Sequence, residues 1–274
     1  MTELIKRINF IDASFDTSKT DAVACIAVLD SFCTSVAFKK ENKIIGLKVF
    51  DHKNQNITSF SEDDFNFFDL FSSPYKSTTL LCCSLKETLV PTSVFDKSYS
   101  EDYIKFNFQS IDNEAVLNDD IKTLDITHVY TLNQSFLNTL KRIMPQAIIR
   151  NYKSALIDAC FTHNGTMSNV YVNTRQDCFD CIIFTEKGLL FANTFNYKSA
   201  QDFIYYLMNV LKQLGLNPES INLFLSGAID EGDAVYNLIY KYIRNVNLIQ
   251  KPVGVEWPFA DAAYHHYFAL LMDK

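Results

Sequence analysis

The chain has 274 residues, 48% of them hydrophobic and 21% charged, a balance that fits a well-filled globular core and excludes a disordered chain. A net charge of −7, with no clustered Lys and Arg, argues against a general nucleic-acid surface or an anionic-membrane surface. The N-terminus lacks a signal-peptide pattern, and no apolar run reaches the roughly 18 residues a membrane-crossing helix needs, so a cytoplasmic location is expected.

In chain order, residues 8–15 read as a short strand and 25–29 (CIAVL) as a strand buried on both faces. A turn over 30–33 leads to a strand over 34–38, a hairpin turn at 39–42 (KKEN) and a third strand over 43–50. Ser61 and Asp64 form an S-x-x-D cap opening a helix with Phe65, Phe68 and Phe71 on one face. A buried strand follows over 78–85, broken at Pro91. The alternation in 99–108 predicts an edge strand, and the acidic 111–120 a loop. A strand over 126–132 precedes a helix capped by Asn133 and stopped at Pro145. A short strand at 147–150 and a helix over 154–161 close the first half, which is assigned to residues 1–165.

The second half, 166–274, opens in the same order: strands at 170–172, 179–184 and 189–197, then a helix capped by Ser199 and Asp202 and ended at Gly215. A strand at 222–225, a helix at 233–244, a strand at 246–249 and a closing helix at 260–272 follow, that last helix free to pack back on the first lobe. The copies are offset by about 146 positions, far too long for a solenoid and consistent with a duplicated domain.

The layout of three meandering strands, helix, strand and helix, written twice, resembles the actin-like ATPase fold. That is an α/β architecture of two ribonuclease-H-like lobes with mixed sheets flanked by helices. The segments LVPTSVF (89–95), LLFANTFNYKSAQDFIYYL (189–207) and LFLSGAID (223–230) are similar to those of a bacterial family of unknown function assigned to that fold. More distantly, the LVP segment resembles actin-like assembly proteins of pili and secretion systems. The resemblance implies a fold and no established activity. In active members it implies an Asp-x-Gly turn in each lobe for phosphate and metal, and a Gly-rich turn for adenosine.

Here the first turn reads Asp30-Ser31-Phe32-Cys33-Thr34, with Phe32 where glycine is needed. The second, Asn173-Thr174-Arg175-Gln176-Asp177, lacks glycine and a placed acid, and the third, Ser226-Gly227-Ala228, keeps one glycine. The seven glycines form neither GxGxxG nor a P-loop. The candidate inter-lobe cleft residues are therefore Asp30, Ser31, Thr34, Thr174, Arg175, Asp177, Ser226 and Gly227. The expected function is a non-catalytic binding or scaffold module with a degenerate nucleotide site and protein partners, without nucleic acid or membrane insertion. No catalytic residue, cofactor or metal is expected. The alternative is an ATP-binding protein, ATPase or kinase-like enzyme using ATP and magnesium at an unorthodox site built from Asp30, Thr34, Arg175 and Asp177.

The remaining constellations read as structural. Cys178 and Cys181 form a lone C-x-x-C without the further ligands zinc requires, and Cys82-Cys83 read as core positions of one strand. Adjacent His265 and His266 on a helix would splay apart by about 100° rather than converge. Tyr205, Tyr240 and Tyr264 are candidates for a partner surface on helix backs.

Overall fold

The computed structural model describes residues 4–13, 15–16, 18–52, 71, 73–164 and 168–271. The helix expected after Ser61 lies outside the described residues. The chain divides into two compact units, the first built from residues 1–155, 254–258 and 270–274, the second from 156–253 and 259–269.

In the first unit, β1 (Leu4–Ile11), β2 (Ala24–Leu29), β3 (Cys33–Lys40), β4 (Lys43–His52), β5 (Ser77–Cys82) and later β9 make a six-stranded sheet. Between β5 and β9 the chain forms β6 (Glu87–Pro91), α1 (Ser100–Asn107), β7 (Glu114–Ile121), β8 (Ile126–Asn133) and α2 (Gln134–Ile143); β9 is Ile148–Asn151. The six-stranded sheet runs β1-β4-β3-β2-β5-β9, and β6-β8-β7 form a separate antiparallel sheet. The core follows the apolar alternation: Cys25, Ala27, Leu29, Val36, Phe38 and Leu80 pack with Phe136, Leu137 and Leu140 of α2. Helix α2 starts as its sequence dictates, Asn133 accepting from the Ser135 and Phe136 amides.

Helix α3 (Tyr152–Asn164) precedes the second unit's strands β10 (Asn169–Thr174), β11 (Cys178–Thr185) and β12 (Gly188–Asn196), then α4 (Ala200–Gln213), β13 (Asn222–Gly227), α5 (Ala234–Tyr242) and β14 (Asn245–Leu248). Its sheet runs β12-β11-β10-β13-β14. All six positions of β10 are buried, as a central strand covered on both faces requires. Ser199 and Asp202 close a reciprocal capping box on α4, whose Phe203 ring centres 4.1 Å from that of Phe179 on β11.

The two large sheets share one register. Leu29 faces Thr34 and, 145 positions on, Thr174 faces Phe179. Leu29 pairs in parallel with Cys82, and Thr174 with Gly227, each 53 residues apart. Even the bulge recurs: the β3–β4 register slips between Phe38 and Lys39, and the β11–β12 register between Ile183 and Phe184.

Three expectations change. Residues 99–108 contain helix α1 rather than an edge strand. Their short alternation is outweighed by Glu101 and Asp102 in the first turn and a Lys105–Glu101 ion pair of 2.7 Å one turn apart. The acidic 111–120 carries strand β7, because its acids find partners across the fold: the Tyr130 hydroxyl (3.2 Å) and the Asn151 amide (2.7 Å) both donate to Asp119. The closing helix shrinks to a 3₁₀ turn, Tyr264–Tyr267, and one turn α6, Phe268–Leu271. Tyr264, His265, Tyr267 and Phe268 are all buried, so this stretch is held on several sides rather than by one amphipathic face. Buried Tyr264 accordingly leaves the proposed partner surface, whereas Tyr205 and Tyr240 remain 66% and 63% exposed.

Candidate functional site

In the first unit, Asp30, Ser31 and Thr34 sit on the β2–β3 turn. The Phe32 amide donates to Asp30 Oδ1 at 3.1 Å, folding the carboxylate back over its own turn, and the Cys83 thiol donates to Oδ2 at 3.4 Å. The buried Thr34 hydroxyl lies 2.9 Å from His52 Nε2, and His52 Nδ1 lies 3.3 Å from the Ser31 carbonyl. Burial lowers the His52 pKa, against opposing pulls from the Ser31 carbonyl, Asp30 and Asp51. Cys83 falls one residue past the end of β5, so it is half-buried at this turn rather than a core position like Cys82.

The second unit brings together Thr174, Arg175, Asp177, Ser226 and Gly227. The turn repeats the first one bond for bond. The Asp30 amide donates to Cys33 O and the Arg175 amide to Cys178 O; His52 N–H donates to Phe32 O and Tyr197 N–H to Asp177 O. Arg175 therefore occupies the place of Asp30, and Asp177 that of Phe32. Arg175 Nε lies 3.3 Å from Asp180 Oδ2, and the Asp180 side chain is wholly buried. Thr194 also donates to Asp180 Oδ1 at 2.6 Å, and Ser226 to Asn173 Oδ1 at 3.0 Å. Gly227 has φ +80°, and a Cβ there would meet the Thr174 carbonyl oxygen at 2.0 Å. That close approach lets the Ala228 amide donate to Thr174 O at 2.7 Å.

A second polar cluster was not legible in sequence. His128 Nδ1 lies 2.8 Å from Ser154 Oγ and its Nε2 lies 3.4 Å from Glu87 Oε2, a serine–histidine–carboxylate chain with the two ring nitrogens in the reverse of their serine-hydrolase roles. Ser154 and His128 have 0% exposure, so no substrate carbonyl can reach the hydroxyl. Lys153 pairs with the same carboxylate. Burial pushes the Glu87 carboxyl up, but Lys153 and His128 overcome it and hold the pKa well below the usual range. The cluster is a buried polar network joining β6, β8 and α3.

All seven cysteines are free. Burial raises the thiol pKa of Cys25, Cys160 and Cys181, and pushes Cys82 up to about 12, so these remain inert thiols at neutral pH. His265 and His266 do converge, contrary to the helical expectation: the tighter 3₁₀ turn and the path of the chain after Gly227 bring both to Asp230. His266 Nε2 lies 3.0 Å and His265 Nε2 3.4 Å from Asp230 Oδ1, with the His265 nitrogen also 2.8 Å from Ile229 O.

Two sheets of this order and register, each carrying its turn at the carboxyl end of the central strand, define a protein of the actin-like ATPase fold. The chain belongs to the family described as protein of unknown function DUF3822, whose model matches residues 14–246. No curated protein matches the sequence. Among solved structures, it is similar to a Bacteroides thetaiotaomicron protein described as having an actin-like ATPase fold and unknown function. The TM-score is 0.77 at 22% identity, covering 96% of this chain and 100% of the other. It is also similar to the PilM–PilN type IV pilus biogenesis complex, with TM-score 0.60 at 9% identity over 90% of this chain and 97% of that one. Among the described residues no helix is long and apolar enough to cross a membrane.

Proposed function

We infer that the protein is a non-catalytic binding or scaffold module of the actin-like fold, with a decayed nucleotide site, acting on protein partners in the cytoplasm. The observation that carries this reading is Arg175. Active members of the fold are expected to present an acid on the corresponding turn of each lobe, for metal-bound phosphate. Here the second turn presents a guanidinium tied to buried Asp180, and a cation so placed cannot hold magnesium. Phe32 and Asp177, at matched positions of the two turns, put side chains where a backbone should approach phosphate. The shared 145-residue register supports descent from a duplicated lobe, and the free, buried thiols support a reducing compartment. Exposed Tyr205 on α4 and Tyr240 on α5 suit a protein-binding face, and PilM, a structural neighbour, is itself seen in complex with a partner protein.

Thermal unfolding with and without Mg-ATP tests the reading. A ligand at a hundredfold excess over its dissociation constant adds about 2.7 kcal/mol of stability. The expected result is an unchanged melting temperature with every nucleotide tried. A clear rise accompanied by phosphate release would overturn the reading in favour of an ATPase using Asp30, Thr34, Arg175 and Asp177. A rise without phosphate release would leave a scaffold with a working nucleotide site.

A further inference from the structure

We propose that Asp230, His265 and His266 form a binding site for a divalent transition-metal ion of the zinc type. Each of the three offers a ligand atom, and these atoms lie within 4.8 Å of one another. Zinc bonds to imidazole and carboxylate run about 2.0–2.2 Å, which separates neighbouring ligands of a tetrahedral ion by about 3.4 Å. The two nitrogen-to-carboxylate separations, 3.0 and 3.4 Å, match such edges. Both imidazoles turn the same atom, Nε2, to one carboxylate oxygen. His265 Nε2 lies 2.8 Å from Ile229 O as well as 3.4 Å from Asp230 Oδ1, so the carbonyl stands at the same point as the three side-chain atoms. A cation at the centre satisfies all of them, with the Ile229 carbonyl or a water completing the set. Two imidazoles and a carboxylate are the donor set for zinc and neighbouring first-row ions, not for magnesium or calcium.

The backbone is prepared for this. Gly227 turns the chain out of β13, the Asp230 amide donates to Asp233 Oδ2 at 2.8 Å, and the Asp233 amide returns to Asp230 O at 3.2 Å. His265 is 7% exposed, which fixes its ring, whereas His266 and Asp230 reach solvent and leave a path for the ion. Bound metal would pin the 3₁₀ turn Tyr264–Tyr267 to the segment that follows β13.

The test uses the full chain stripped with a chelator and titrated with Co²⁺ and Zn²⁺. The expected result is one ion per chain, a higher melting temperature with Zn²⁺, and a Co²⁺ spectrum of nitrogen and oxygen ligands. His266→Ala and Asp230→Asn, both at partly exposed positions and checked for folding by circular dichroism, should each weaken binding at least tenfold. Absence of one-to-one binding would overturn the site, as would affinity unchanged by both substitutions. So would a thiolate-to-cobalt charge-transfer band, which would place the ion on cysteine instead.

Discussion

At the scale of single residues, Gly227 carries the tightest constraint in the second unit. Its left-handed backbone disfavours any L side chain by about 1–2 kcal/mol, and a Cβ 2.0 Å from the Thr174 carbonyl adds a clash with rigid backbone. Gly227→Ala is therefore expected to lower stability by about 2 kcal/mol or more, read as a fall in the urea midpoint without a change in slope. The glycine itself was conspicuous in a sequence with only seven. Its reason was not, because the atom it makes room for lies 53 positions earlier in the chain. Arg175 is read through the same comparison: the matched register places it at the position of Asp30 in the first unit, and Asp180, five residues on, is the anion that holds it.

Elements were legible where local chemistry and tertiary demand agree. Helix α4 has a capping box, an apolar stripe and a glycine after its end, so its sequence reads as a helix before any packing is considered. Ser199→Ala removes the hydroxyl that accepts from the Asp202 amide and should cost about 1 kcal/mol, measurable as a lowered melting temperature. Rescue by Ser199→Asp would separate capping from packing. Helix α1 and strand β7 were misread because their signals conflict with their surroundings. Eight residues with Ile104 alone fully buried give too little periodicity to identify a helix. In β7, acids that read as solvated loop are drawn into a sheet by partners on β8 and at the end of β9.

For the whole molecule, acid sensitivity follows from Glu87, whose carboxylate joins β6 to His128 on β8 and Lys153 on α3. Its folded pKa lies below the ordinary glutamate value of about 4.3. The stabilisation is thus complete above that pH and is lost as pH falls beneath it. Glu87→Gln leaves Lys153 buried without its anion and should cost about 3 kcal/mol at pH 7. The gap between wild type and variant should close as the urea midpoint is followed below pH 4. A gap that stays constant with pH would mean that Glu87 acts by packing alone.

The sequence by itself determined the class of fold. Apolar periodicity, caps and turn residues are local, and writing the same order of elements twice repeats them at a fixed spacing. It also determined that neither GxGxxG nor a P-loop is present, since an absent motif needs no coordinates to be read. Tertiary structure alone decided which side chains meet. The β10–β11 hairpin sets Arg175 against Asp180, the β13 turn brings Asp230 to His265 and His266, and Ser154 and His128 are closed off from solvent. Arg175 and Asp180 are five positions apart and meet across the β10–β11 hairpin; the other meetings join residues far apart along the chain, whose approach is fixed by strand pairing and burial rather than by their neighbours in sequence.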